Sequence, residues 1–230
     1  MRVLVVSAGH PDLAPGDGPA VAYALFAGMR ERAGVEATLL ASVDRSVPAL
    51  FKPGAHITAF DGRPGEYLFL SHDVDPWWHR NGEPLLVEAF AEFLELIRPD
   101  VVHFHAFVSL GLELPTLTRR VLPDCRIVFT LHDFMAICAA EGSMIRRTDG
   151  SACDHATPVR CHQCFPGVPP ERFFLRAAVM KAHLAAVDVF AVPREAMREP
   201  FVRFGLPADK LVLVPAVAMV EGHVALYAVS

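Results

Sequence analysis

Apolar residues along this chain follow two alternating rhythms. Short apolar runs, such as the unbroken Val3 to Val6, read as strands covered on both faces, and Val101 to Phe104 reads as another strand. Between them lie longer stretches in which apolar residues recur every three or four positions, the spacing of one helical face. Val21, Leu25 and Met29 predict a first helix over Pro19–Ala33, with proline at its start and Gly34 just past its end. Leu86, Phe90, Phe93 and Ile97 make the stripe of a second helix over Pro84–Ile97. Arg98-Pro99-Asp100 stops that helix before the strand at Val101.

The remaining segments continue the pattern. Strands are expected at Glu36 to Ala41, Arg126 to Leu131, Asp188 to Val192 and Leu211 to Val214. Helices are expected at Leu110 to Val121, Glu171 to Ala186 and Arg194 to Phe204, the last ended by Gly205. Ile57 to Phe60 and Glu66 to Leu70 read as two short strands around the turn Asp61 to Gly65, and His72 to Gly82 as a loop. Strands alternating with helices predict βαβ units with right-handed crossovers. The expected fold class is α/β, a doubly wound, mostly parallel Rossmann-like sheet with a loop insertion.

Composition narrows the class. In 230 residues, 53% are apolar, enough for one large core, and 21 basic residues face 26 acidic ones. That balance offers no basic surface for nucleic acid. Met1 to Ser7 is too short for an export signal, and no stretch reads as a transmembrane segment. A cytoplasmic location is expected, where thiols stay reduced and five cysteines point to metal binding or burial rather than disulfides.

Three motifs sit where open parallel sheets bind ligands, at strand carboxyl ends. Gly16-Asp17-Gly18 precedes the first helix and lets a backbone approach an anion at the helix N-terminus. A turn that only caps the helix explains it equally well. Val21 stands where a dinucleotide fingerprint needs glycine, which argues against a nicotinamide-dependent oxidoreductase. His103 and His105 share one face of their strand, with His105 nearer the ligand edge. His103 reads as a hydrogen-bonded packing residue. His132-Asp133 ends the next strand and suits sugar hydroxyls or a phosphate, although Asp133 as a turn cap is the plainer alternative.

Directly after this pair comes a cysteine-rich insertion, residues 138–166. Cys161 and Cys164 form a C-x-x-C pair, and Cys138 and Cys153 would complete a tetrahedral structural zinc site. Asp154, His155 and His162 are substitute ligands, and four reduced thiols in a loop are the alternative. Cys125 reads as a small core residue.

The run Arg98 to His105, then Val128 to Phe134, then Cys138 with the later cysteines, resembles the N-terminal domain of family-4 retaining (GT-B) glycosyltransferases. The opening strand, the Gly16–Gly18 loop and Gly205 to Lys210 fit the same pattern, and the cysteines resemble a subset of these enzymes. The resemblance covers residues 1–215 and leaves 216–230 as an atypical or truncated tail. It implies sugar transfer from a nucleotide-sugar donor to a glycan, lipid or small-molecule acceptor, with no catalytic metal. His132 would reach the donor sugar as the catalytic-site residue. Gly16, Asp17, Gly18, His105 and Asp133 would contact substrate. The family's C-terminal domain, with its acidic E-x7-E motif, has no counterpart here, and Ala216 to Met219 replace the usual Asn-Gly and acidic residue. The chain is therefore expected to be inactive without a C-terminal domain or partner chain. A non-catalytic binding or interaction domain is the alternative.

Overall fold

The computed structural model describes residues 1–44, 51–52, 54–71, 74–215 and 219–228. Among these residues eight strands form one sheet: β1 (Arg2–Ser7), β2 (Glu36–Val43), β3 (Ile57–Ala59), β4 (Glu66–Leu70), β5 (Val101–Phe104), β6 (Arg126–Thr130), β7 (Val189–Val192) and β8 (Leu211–Leu213). Their order is β3-β4-β2-β1-β5-β6-β7-β8. Every pairing is parallel except β3 with β4, where the short turn foreseen from Asp61 to Gly65 makes an antiparallel edge. This is the expected doubly wound α/β sheet.

Among the described residues seven helices cover it: α1 (Asp17–Arg30), α2 (Pro84–Ile97), α3 (Leu114–Val121), α4 (Pro158–Cys164), α5 (Pro170–Leu184), α6 (Glu195–Phe204) and α7 (Met219–Leu226). α2 has the bounds its apolar stripe predicts, and it ends on Arg98 in the left-handed region. α1 begins two residues before the proline, because Asp17 suits the positive helix start and Pro19 falls among N–H groups that would be unpaired anyway. It ends at Arg30, where Arg32 N–H bonds back to the Met29 carbonyl. α3 is shorter than its pattern implied. Ser109 and Gly111 adopt positive φ (62° and 123°), so the chain turns before Leu114 and Pro115 restart it as a helix. α4 and α7 were not anticipated. The departure at 216–218 lies outside the described residues, and so do His72 and Asp73 of the expected loop.

Two cores flank the sheet. On one face Phe90, Phe104, Phe129, Phe190 and Phe201 pack beneath α2, α3, α5 and α6. On the other, Val3, Val5, Leu25, Phe26, Leu39 and Val128 pack beneath α1 and α7. α1 and α7 touch so closely that a Cβ on Gly28 would lie 2.6 Å from Val220. Among the described residues, no helix is long and apolar enough to cross a membrane.

Candidate functional site

The sheet order places β1 at the switch point of the winding. The chain runs outward from β1 to β2 on one side and continues through β5 on the other. Ligands in open α/β sheets bind in the crevice at that point, beyond the carboxyl ends of the strands. His105 sits there, its N–H bonded to the Val6 carbonyl at 2.9 Å.

Period-two alternation directs His103 and His105 to the α1–α7 face, and Thr130 and His132 follow from β6 on the same side. The four residues form a polar column. His103 is fully buried and bonds Tyr227 Oη through Nδ1 (2.7 Å) and Thr130 Oγ1 through Nε2 (2.7 Å). Thr130 Oγ1 also meets His223 Nε2 at 3.2 Å, so α7 is stitched to the sheet. The His103 and His105 rings lie 4.4 Å apart. Above them His105 Nδ1 and His132 Nε2 are 3.0 Å apart, with the rings stacked at 5.2 Å. One proton lies between those two nitrogens, so at most one of the pair is an acceptor there at a time.

Burial, reinforced by neighbouring imidazoles, holds His103 and His105 well below the usual histidine range. His132 is lowered to about 4, first by burial and then by His223. The upper histidines are therefore neutral near pH 7 and act as hydrogen-bonding groups rather than cations. A cavity of ≈ 20 Å³ is lined by His105, Thr130, His132 and Asp133. Asp133 stands at its open rim. Loss of solvation by the surrounding loop raises its carboxyl, opposed by the hydrogen bond its Oδ1 accepts from Met135 N–H at 2.8 Å. The turn-capping role foreseen for Asp133 is present.

Gly16, Asp17 and Gly18 stand at the start of α1, on the same edge of the sheet, but they do not line that cavity. Gly16 is extended (φ 171°), and a Cβ at Gly18 would meet nothing within 4 Å. The backbone is open to an approaching group without needing glycine for its conformation. The loop leading to it is held by a network that sequence reading did not single out. His10, fully buried, accepts from Asp12 N–H through Nδ1 (3.2 Å), so its Nε2–H donates to Glu66 at 2.8 Å. Tyr23 Oη donates to the same carboxylate at 3.3 Å, and Arg63 bridges it to Asp12. Such a pair is costly to desolvate and destabilising to break. It fixes the β1–α1 loop beside a crevice of ≈ 160 Å³ lined by Ala8, Ser42, Ser71 and Ser109. A larger cavity of ≈ 500 Å³ lies at the β3–α2 edge, away from His105, His132 and Asp133. Chemistry rather than size selects the crevice.

The cysteine insertion is more ordered than its polar sequence suggested. Residues 144–153 close as a hairpin through the Ile145–Ala152 bridge. Thr157 Oγ1 accepts from Arg160 N–H to start α4, and Cys161 and Cys164 are one turn apart on that helix. Cys138, Cys153, Cys161 and Cys164 line one cavity of ≈ 20 Å³, and all are free thiols. Burial first, then the neighbouring thiols, pushes Cys161 up to about 11. Among the described residues, no group of three or more His, Cys, Asp or Glu side chains is arranged to hold a metal ion. Cys125 is buried in the core, as expected. Arg176, 3% exposed, ties the insertion to the fold by donating to the carbonyls of Trp77, Met135 and Ala136.

The chain matches the profile of the family described as "Glycosyl transferase 4-like domain" over residues 18–216. Several solved structures share its fold. Sucrose-phosphate synthase from Thermosynechococcus elongatus aligns with TM-score 0.53 at 13% identity, covering 99% of this chain and 100% of that one. The N-terminal domain of Candida albicans trehalose-6-phosphate phosphatase gives 0.52 at 14% identity, over 93% of this chain and 48% of the other. Anabaena HepE, solved in complex with UDP and glucose, gives 0.51 at 11% identity, over 94% of this chain and 44% of the other. The chain thus spans about half the length of HepE. None of the curated proteins compared with it matches.

Proposed function

The chain belongs to the glycosyl transferase 4-like family, and we propose that it forms the acceptor-side half of a GT-B glycosyltransferase acting on a nucleotide-sugar donor. The observation that carries this reading is the neutral His105–His132 pair at the switch-point crevice, next to Asp133. Neutral imidazoles and a carboxyl beside a shallow opening suit the hydroxyls of a sugar better than its phosphates. In this reading His132 touches the donor sugar near the reacting centre. His105 supports it, and the open Gly16–Gly18 backbone faces the donor phosphates. The charge that leaves with the nucleotide is stabilised by groups of a second domain, supplied in the same polypeptide or by a partner. The support for a second domain is that HepE, solved with UDP and glucose, is more than twice as long as the region matched.

The test is kinetic. A donor domain is supplied by fusion or in trans, and His132→Ala is compared with the parent. Turnover at saturating donor and acceptor should fall at least tenfold, while acceptor binding changes little, because only an interaction near the transition state lowers turnover selectively. An unchanged rate would remove His132 from the site.

Two companion proposals follow. A structural zinc ion in the insertion is supported by four thiols around one cavity. Side-chain rotations would have to draw them together, and the ion would displace their protons. Elemental analysis of chelator-free protein should find about one zinc per chain, and chelation should loosen residues 138–166 while sparing the sheet. Absence of metal would dismiss the ion. A cytoplasmic location is supported by five free thiols.

A further inference from the structure

A second pocket lies on the phenylalanine face, between α2, α3 and α5, and it has the composition of an anion site. Its volume is ≈ 380 Å³, the size of a small-ligand pocket. Arg80 and Asn81 come from the loop before α2, Thr116 and Arg120 from α3, and His183 from the end of α5. Glu113 closes the floor.

The polar groups are held in one orientation. Asn81 Oδ1 accepts from Glu83 N–H at 3.0 Å, so its amide NH2 faces the other way. Asn81 Nδ2 is buried and has no hydrogen-bond partner among the described residues. Glu113 Oε1 accepts from Asn81 N–H at 2.8 Å, which leaves Oε2 buried and unpaired among the described residues. His183 Nδ1 meets Thr116 Oγ1 at 3.0 Å, leaving Nε2 as its other polar atom. The Arg80 guanidinium is close enough to depress His183 and to oppose the burial that raises Glu113. Neither arginine side chain has an ion-pair partner among the described residues.

Two planar guanidinium forks, an amide and an imidazole on one concave wall match the three acceptor oxygens of a phosphate monoester. The carboxyl oxygen in the same wall would repel a bare anion but would accept a hydroxyl. We propose that this pocket binds a phosphorylated, hydroxyl-bearing molecule of about sugar size, its phosphate on Arg80 and Arg120 and a hydroxyl on Glu113. The site is separate from the His105–His132 crevice, which lies at the carboxyl ends of β5 and β6 and shares no lining residue with it, and it does not depend on the transfer reaction.

Calorimetric titration of the full 230-residue chain with glucose 1-phosphate, inorganic phosphate and glucose tests this. Glucose 1-phosphate should bind saturably at one site, inorganic phosphate more weakly, and glucose not measurably. The double variant Arg80→Ala, Arg120→Ala should weaken glucose 1-phosphate at least tenfold, since each charge-assisted contact contributes that order of effect. Glu113→Gln should separate the ligands, weakening glucose 1-phosphate while leaving inorganic phosphate equal or tighter. His132→Ala, outside this pocket, should leave glucose 1-phosphate affinity as in the parent, and a loss there would assign the binding to the crevice and overturn the proposal. No saturable binding would overturn the proposal. So would equal binding of glucose alone, or a double variant that folds normally and binds as the parent does.

Discussion

The two faces of β5 are built from opposite materials. Val102 and Phe104 point into a dry layer in which Phe104 lies against Phe90 and, stacked, against Phe129. Val101, His103 and His105 point the other way, and from His103 onward every side chain needs a hydrogen-bond partner. The first face holds the helices by area and shape. The second gives up part of that stabilisation to place imidazoles in a low-dielectric column that ends at the crevice. A neutral histidine is costly to bury but keeps one donor and one acceptor in fixed places. The difference teaches where this fold has specialised: a strand that could have been apolar on both sides is polar only towards its ligand edge.

Breaking the dry face should have the largest effect. Phe104→Ala removes a fully buried ring from a packed cluster and should cost about 3–5 kcal/mol, read by denaturant unfolding. Its loss should not depend on pH.

Acid should then separate the faces. His132 titrates near 4 in the folded chain, against about 6.5 when unfolded. The unfolded state therefore takes up the proton first. Stability is complete above about pH 6.5 and falls as pH drops towards 4, by up to about 1.4 kcal/mol per pH unit for each such histidine. His132→Gln should flatten that slope by one histidine's share in a series of unfolding curves from pH 7 to pH 4. An unchanged slope would mean that the ring is exposed.

Smaller effects map the column itself. His103→Ala leaves the Thr130 and Tyr227 hydroxyls short of a partner and should cost about 1–3 kcal/mol. Tyr227→Phe removes one hydroxyl and keeps the ring, for about 0.5–1.5 kcal/mol. If Tyr227→Phe equalled His103→Ala, the column would be held mainly from α7 rather than from the sheet.

Much of this was legible in the sequence, for physical reasons. Unbroken apolar runs and three-to-four spacing found the strands and α2, because burial on two faces or one leaves that trace. Alternation along β5 correctly put His103 and His105 on one side, whereas the cysteine spacing pointed to a tetrahedral zinc site and the four thiols line one cavity with no metal-holding arrangement among the described residues. α4 escaped because Pro158 to Cys164 has no apolar stripe. The shortened α3 followed from positive φ at Ser109 and Gly111, which no periodicity records. The partners of His103 were invisible locally, since Tyr227 lies 124 residues away in sequence. The His10–Glu66 pair spans 56 residues and reads, position by position, as ordinary loop and strand.

The most direct test of the half-enzyme reading is a transfer assay with the 230-residue chain, alone and fused to a donor domain from the same family, across a panel of UDP-sugars. The expected result is no turnover alone and measurable turnover in the fusion, because the reacting groups must be held by both halves. Efficient transfer by the chain alone would contradict it.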